Sequence, residues 1–319
     1  MHGRTDLWIA VLLMVGSGLV LSGVAYRVSI RARGWRLGAA IGALALLLLF
    51  FGFLLADSVV LARLLPLPCL PVCGNLAFPL SMILAGLLLR STIPFRRRLL
   101  LAALLGILGA RALITPLLRG TPDCSDHWHG DVCIQTRPAS CSAAAAVTLL
   151  RHHGIDATER EMAQLCLTSA KGTTQHGLFR GLLIKTKGTP YRPKIRTLSL
   201  ADLQPSNELP ATISVMLTAE VSEKDPRYEK EWKWQVGVAH TVVILSFFGD
   251  DKVLVADPSV GLEEWHVDEL GDLMTGTCMF LVAADGTALE RKTVQPPRAP
   301  LRPVACDHRP PPRESAHGP

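Results

Sequence analysis

Apolar residues are spread unevenly along the chain: four long runs occupy the first 120 positions, and shorter, mixed runs follow. A bilayer hydrocarbon core about 30 Å thick takes about 20 apolar helical residues to cross. The runs therefore predict membrane-spanning helices over about 7–26, 37–61, 75–89 and 99–118. The third is the shortest, and Pro79 interrupts it. Beyond residue 118 the pattern changes to that of a globular domain. QTRPASCSAAAAVTLLRHHG, 135–154, reads as a helix: the Ser140 hydroxyl is placed to cap it, the alanine run 143–146 has high helix propensity, and Gly154 suits the left-handed residue past its end. Thr158 and Glu161 predict a capping box for a second helix through about Leu165, and HGLFRGLLIKTKG predicts a third ending at Gly188 or earlier. Strands are then expected at PKIRTLSL, PATISVML, VGVAHTVVILSF, DKVLVADPSVG and CMFLVA.

Helices first and strands afterwards predict an α+β domain preceded by an α-helical transmembrane region. The expected division is 1–119 for the membrane region, 120–290 for the domain and 291–319 for a disordered tail, since QPPRAPLRPVACDHRPPPRESAHGP is proline-rich and without periodicity.

Composition agrees with a membrane protein: of 319 residues 49% are hydrophobic and 19% charged, and the mean hydropathy is +0.30. The net charge of +6 is local in origin. Arg27, Arg31, Arg33 and Arg36 lie in the first connection, Arg90, Arg96, Arg97 and Arg98 in the third, and only Arg63 in the second. No basic stripe with interleaved aromatics occurs elsewhere, which argues against a nucleic-acid partner. By the positive-inside rule the first and third connections face the cytoplasm. The amino terminus, the second connection and everything after Leu118 are then expected outside it, anchored in the lipid bilayer. The first run is too long for a cleaved signal peptide and is kept as an anchor. Arg111, inside the fourth run, needs either an acidic partner, for which Asp57 is the obvious residue, or a path for its side chain to the interface.

An extracytoplasmic domain bears on the eight cysteines. Cys69 and Cys73, and Cys124 and Cys133, are close in sequence and predict two disulfide rings. A metal site of Cys124, His127, His129 and Cys133 is the other reading of the second pair. Cys166 and Cys278 fall in apolar stretches and read as core residues; Cys306 has no obvious partner.

Cys141 differs from these because it sits in the first turn of its helix, where the macrodipole and free N–H groups favour a thiolate. A buried structural cysteine is the plainer alternative. Two later residues supply what a thiol nucleophile needs. His240, on a strand of β-branched residues, is a base that accepts the thiol proton and returns it to a leaving amine. Asp257, at the end of the next strand, is placed to orient the imidazole across an antiparallel pair.

With Gln135 six residues before Cys141, a helix ending at Gly154, His240 followed by TVVIL, and Asp257-Pro258 with Gly261 shortly after, the stretch of roughly 130–285 resembles the C39 bacteriocin-processing peptidases, which are papain-like cysteine proteases. The resemblance implies a papain-like fold, Cys141, His240 and Asp257 as catalytic residues, and Gln135 donating its amide to an oxyanion hole beside the Cys141 N–H. It implies no cofactor. Family members cleave after Gly-Gly in a leader peptide on the cytoplasmic side, so that substrate does not carry over to a domain expected outside. The chain departs from the family at Ser140 and Ser142, where Asp and Gly are common, and in a long charged insert at about 220–235, placed where it reshapes or covers the cleft. No GxxxxGK[ST] loop accompanies the domain, so a transporter partner would be separately encoded. The leading expectation is a membrane-anchored cysteine peptidase acting on a peptide or protein substrate. A non-catalytic peptide-binding domain, or a thiol-disulfide oxidoreductase built on Cys69 and Cys73, are the alternatives.

Overall fold

The computed structural model describes residues 4–31, 34–52 and 57–285. The expected tail, 291–319, lies outside them. The amino-terminal helices are α1 (Thr5–Val28), α2 (Trp35–Phe50), the short α3 (Val59–Leu64) and α4 (Leu70–Cys73), α5 (Ala77–Leu88) and α6 (Phe95–Leu118). Three stretches are long and apolar enough to cross a membrane: Thr5–Val28, Leu70–Leu88 and Phe95–Leu118. The third expected span is thus longer than its sequence suggested, because α4 extends it. Pro79 is tolerated because it falls in the first turn of α5, where an N–H has no intrahelical acceptor.

The second expected span, 37–61, is not one continuous helix. α2 has 16 residues, about 24 Å at 1.5 Å per residue. Asp57 then adopts φ +64°, and Ser58 caps the separate helix α3 by accepting from the Leu61 N–H at 3.3 Å. Close helix packing explains two glycines. A side chain at Gly86 would collide with the Ser22 carbonyl of α1, and one at Gly109 with the Ser81 hydroxyl of α5.

The domain begins with a hairpin, β1 (Trp128–His129) and β2 (Val132–Cys133), absent from the sequence-based expectation. Three helices follow: α7 (Cys141–His152), α8 (Glu159–Leu165) and α9 (Gln175–Lys185). Gly154 has φ +70° beyond α7, as expected. Thr158 caps α8 by accepting from the Glu161 N–H, and the Glu161 carboxylate pairs with Lys185 of α9.

The remaining elements are β3 (Tyr191–Thr197), α10 (Leu200–Leu203), β4 (Ala211–Met216), α11 (Ala219–Lys224), α12 (Arg227–Lys230), β5 (Ala239–Phe248), β6 (Lys252–Asp257), β7 (Gly261–His266), α13 (Val267–Leu273) and β8 (Met274–Ala283). The strands form one antiparallel sheet in the order β3-β8-β4-β5-β6-β7. Alternation along them sends side chains to two cores. Val243, Leu245, Leu254 and Ala256 pack with Ala145 of α7. Val242, Ile244, Val253 and Val255 pack with Trp232, Trp234 and Trp265 on the other face.

The domain is joined to the amino-terminal helices through α9. Asp57 accepts from the Gln175 and His176 N–H groups, each at 2.7 Å, at the start of α9. The Arg180 guanidinium, fully buried, pairs with Asp6 of α1 and donates to the Pro68 carbonyl. Ala62 and Leu70 enter the same core as α7. Asp57 is therefore not the partner expected for Arg111, which is exposed on α6.

The end of α6 reaches the domain as well, since Leu113 and Leu117 share a core with Leu7 of α1 and Leu167, and Arg4 at the start of α1 donates to the Leu117 carbonyl at 3.0 Å.

Candidate active site

α7 begins at Cys141, with Ser140 at the N-cap position, but the Ser140 hydroxyl does not cap the helix. It instead exchanges hydrogen bonds with the backbone of Arg137, at 3.1 and 2.8 Å, and so fixes the turn leading into the helix. Cys141 is 9% exposed. Ser142 faces the sheet, where its hydroxyl lies 2.8 Å from that of Thr241; both residues are buried, and the contact pins the start of α7 to the strand carrying His240.

Strand parity places the other two residues. His240 follows the phase of Val242 and Ile244, and Asp257 that of Val253 and Val255, so both stand on the sheet face that carries the tryptophans. Their meeting is direct: His240 Nε2 donates to Asp257 Oδ1 at 2.8 Å, and Asp257 is fully buried. The Ser259 N–H also donates to Oδ1, at 2.7 Å, an Asx turn that the Asp-Pro-Ser sequence favours. The Ser259 hydroxyl lies 3.2 Å from His240 Nε2 and accepts from Trp234 Nε1–H at 3.3 Å.

The expected insert folds over this pair. α11 and α12 lead to Trp232 and Trp234, with Lys233 between them at φ +61° and both indoles turned inward. Trp232 stacks on Trp265, and the Trp234 ring lies 4.6 Å from the imidazole. The insert thus shields the histidine–aspartate hydrogen bond from water, which strengthens it.

Electrostatics follow from this arrangement. Burial opposes ionisation of the Cys141 thiol, but the hydrogen bond and charge of His240, with the Thr241 N–H and Ser142 hydroxyl, outweigh it and hold the thiol below its ordinary value. Burial likewise opposes protonation of His240, yet the charge and hydrogen bond of Asp257, reinforced by Cys141, push it up to about 10. The two shifts are opposed, and each group is a cause of the other's. By contrast, burial pushes Cys166 and Cys278 up to about 12.

Gln135 lies in the loop after β2. Its N–H donates to the Pro258 carbonyl at 2.8 Å, tying this loop to the turn beside Asp257. Its side-chain Nε2 donates to the Arg137 carbonyl at 3.3 Å, and Oε1 is buried without a donor among the described residues. A buried Glu159 supports the loop from below by accepting from the Thr136 N–H and hydroxyl at 2.9 and 2.7 Å.

The structure therefore brings Cys141, His240 and Asp257 together, gives Ser142 a partner in Thr241, and adds Trp234, Ser259 and Glu159, which were not expected from the sequence. The Asp-Pro-Ser turn and the Trp-Lys-Trp motif were the signals available for two of them.

The seven described cysteines are thiols, so neither expected disulfide is formed. The Cys69 and Cys73 sulfurs are 3.7 Å apart, and Cys124 and Cys133 are fully buried in one core. Among the described residues no three His, Cys, Asp or Glu side chains gather as a metal-ligand set.

No family model matches the chain. A 48-residue stretch is 45% identical to an uncharacterized protein of Methanothermobacter thermautotrophicus, covering 15% of this chain and 34% of that protein. The match thus spans about a third of that relative's length. Another covers 147 residues at 29% identity with an uncharacterized protein of Methanothermobacter marburgensis, 46% of this chain and 84% of that one. The structural neighbours are peptidase domains. One is that of Streptococcus ComA, a bifunctional ABC transporter involved in quorum sensing, at 18% identity and TM-score 0.38, covering 49% of this chain and 99% of that one. Another is a double-glycine-motif protease from an AMS/PCAT transporter in complex with the leader peptide, at 17% identity and TM-score 0.37, covering 52% of this chain and 96% of that one.

Proposed function

We propose that the chain is a membrane-anchored cysteine peptidase whose domain faces away from the cytoplasm. The observation that carries this reading is the continuous chain from the Cys141 thiol through His240 to Asp257, with the thiol lowered and the imidazole raised. The Cys141 thiolate attacks the carbonyl carbon of a peptide bond, and the negative charge passes to the carbonyl oxygen. The Cys141 N–H and the Gln135 amide stabilise that oxyanion. Collapse of the tetrahedral intermediate breaks the C–N bond as His240 gives its proton to the leaving nitrogen, leaving a thioester. His240, now neutral, takes a proton from water as the water attacks the thioester, and the acid product leaves the restored ion pair. Asp257 holds the imidazole in one orientation throughout.

The orientation requires α2, 16 residues long, to cross back to the domain side, and it is supported by two observations taken together. The domain meets the start of α1 and the connection between α2 and α5, and the arginine clusters lie in the other two connections. Comparing peptides released by cells carrying the wild-type chain and Cys141→Ala tests the chemistry: a set of peptides is expected to vanish in the variant, and identical profiles would leave only a binding domain. An alkaline phosphatase fused after residue 290 tests the side, with activity expected; a silent fusion would return the domain to the cytoplasm.

A further inference from the structure

The insert does more than cover the imidazole. Val236 and Val238 are 42% and 53% exposed, and no other large apolar side chain is exposed among the described residues after Leu118. Their backbone is held in place: the Gly237 N–H donates to the Leu217 carbonyl at 2.9 Å and the Val238 N–H to the Gln235 carbonyl at 3.1 Å. Gly237 takes φ +76° between them, a conformation glycine adopts without strain. Behind this turn stands Trp234, against the His240 ring, and Val238 is two residues from His240 itself. The two valines are thus a fixed apolar shelf continuous with the candidate site.

We infer that this shelf is the subsite for the residues on the leaving side of the scissile bond, and that it selects aliphatic or aromatic side chains there. This rests on the peptidase reading. His240 has to reach the leaving nitrogen to protonate it, so the segment entering His240 lies along the part of the substrate that departs as the new amino terminus. Two exposed valines offer that part apolar surface; a methylene in an enclosed hydrophobic pocket is worth about 10- to 200-fold in kcat/KM, and an open shelf is expected at the lower end.

The test uses the purified full chain in detergent and a proteome digested with trypsin as a peptide library, with new cuts read by mass spectrometry. Leu, Ile, Val, Met and Phe are expected to be enriched about tenfold at the first two positions after the cut. The enrichment should fall toward one in Val236→Ser/Val238→Ser, fall partly in each single serine variant, and persist in Val236→Leu/Val238→Leu. The single variants read the effect if the double one does not fold. Cutting with the same preference in every folded serine variant, or with none in the wild type, would overturn this inference and leave the peptidase reading standing. An absence of cutting by the wild type, indistinguishable from Cys141→Ala, would overturn both.

Discussion

Of the three histidine–aspartate pairs among the described residues, His266–Asp251 is exposed, and the two whose histidine is largely buried have surroundings that give them different work. His240 donates to Asp257 at 2.8 Å, and the imidazole also meets the thiol at the start of α7. His176 lies 3.6 Å from Asp57 through Nδ1, while its Nε2 lies 3.0 Å from the Ser58 carbonyl. One ring connects a carboxylate to a nucleophile. The other connects a carboxylate to backbone and joins α9 to the segment before α3. A histidine–aspartate contact becomes a candidate for chemistry only where the second nitrogen faces a group that can lose or gain a proton usefully.

That comparison breaks most visibly on removing each imidazole. His240→Ala is expected to lower kcat/KM by about 10⁴-fold or more. His176→Ala should leave cleavage within a few-fold and cost about 1–3 kcal/mol in urea unfolding. A His176 variant as inactive as the His240 one would erase the distinction.

The pH profile sharpens it. Activity needs the Cys141 thiolate together with the His240 imidazolium. It should rise with pH as Cys141 ionises below its ordinary value of 9.0, and fall as His240, raised to about 10, loses its proton. Since Asp257 supplies the largest raising contribution at His240, Asp257→Asn should move the alkaline limb down toward the ordinary 6.5. Asp57→Asn should leave both limbs in place. Movement of the alkaline limb by Asp57→Asn would contradict the separation.

How much of this was legible in the sequence depended on range. Cys141, His240 and Asp257 stood out because each sat on an element with a readable local pattern: a helix start, a β-branched strand and a strand end. Strand parity then brought His240 and Asp257 to one face. The second pair was not legible, since Asp57 and His176 are far apart in the chain and Asp57 lay inside an apolar run that read as one span. At φ +64° Asp57 itself is not helical. The charged residues of the insert drew the eye, whereas its tryptophans decide what it covers. Ser140 was readable as an N-cap by position, but its hydroxyl had a closer partner in the Arg137 turn.

A smaller effect is expected at the oxyanion loop. Gln135→Ala should reduce kcat by about 10²-fold with little change in KM, the mark of a donor used only in the transition state. A pure KM effect would place Gln135 in substrate binding. Smallest of all, Asp57→Asn should cost about 1 kcal/mol of stability, for loss of a negative charge at the start of α9. No measurable loss would mean that solvent replaces the contact.

The central claim is that Cys141 is held as a thiolate by His240, and the rate of its alkylation by iodoacetamide against pH measures that directly. Labelling of Cys141 should stay fast well below pH 9, where an ordinary thiol is protonated, and should far outrun Cys166 and Cys278, which burial pushes up to about 12. In His240→Ala the advantage at neutral pH should disappear. Labelling of Cys141 that follows an ordinary thiol in the wild type, unchanged by loss of His240, would contradict the account.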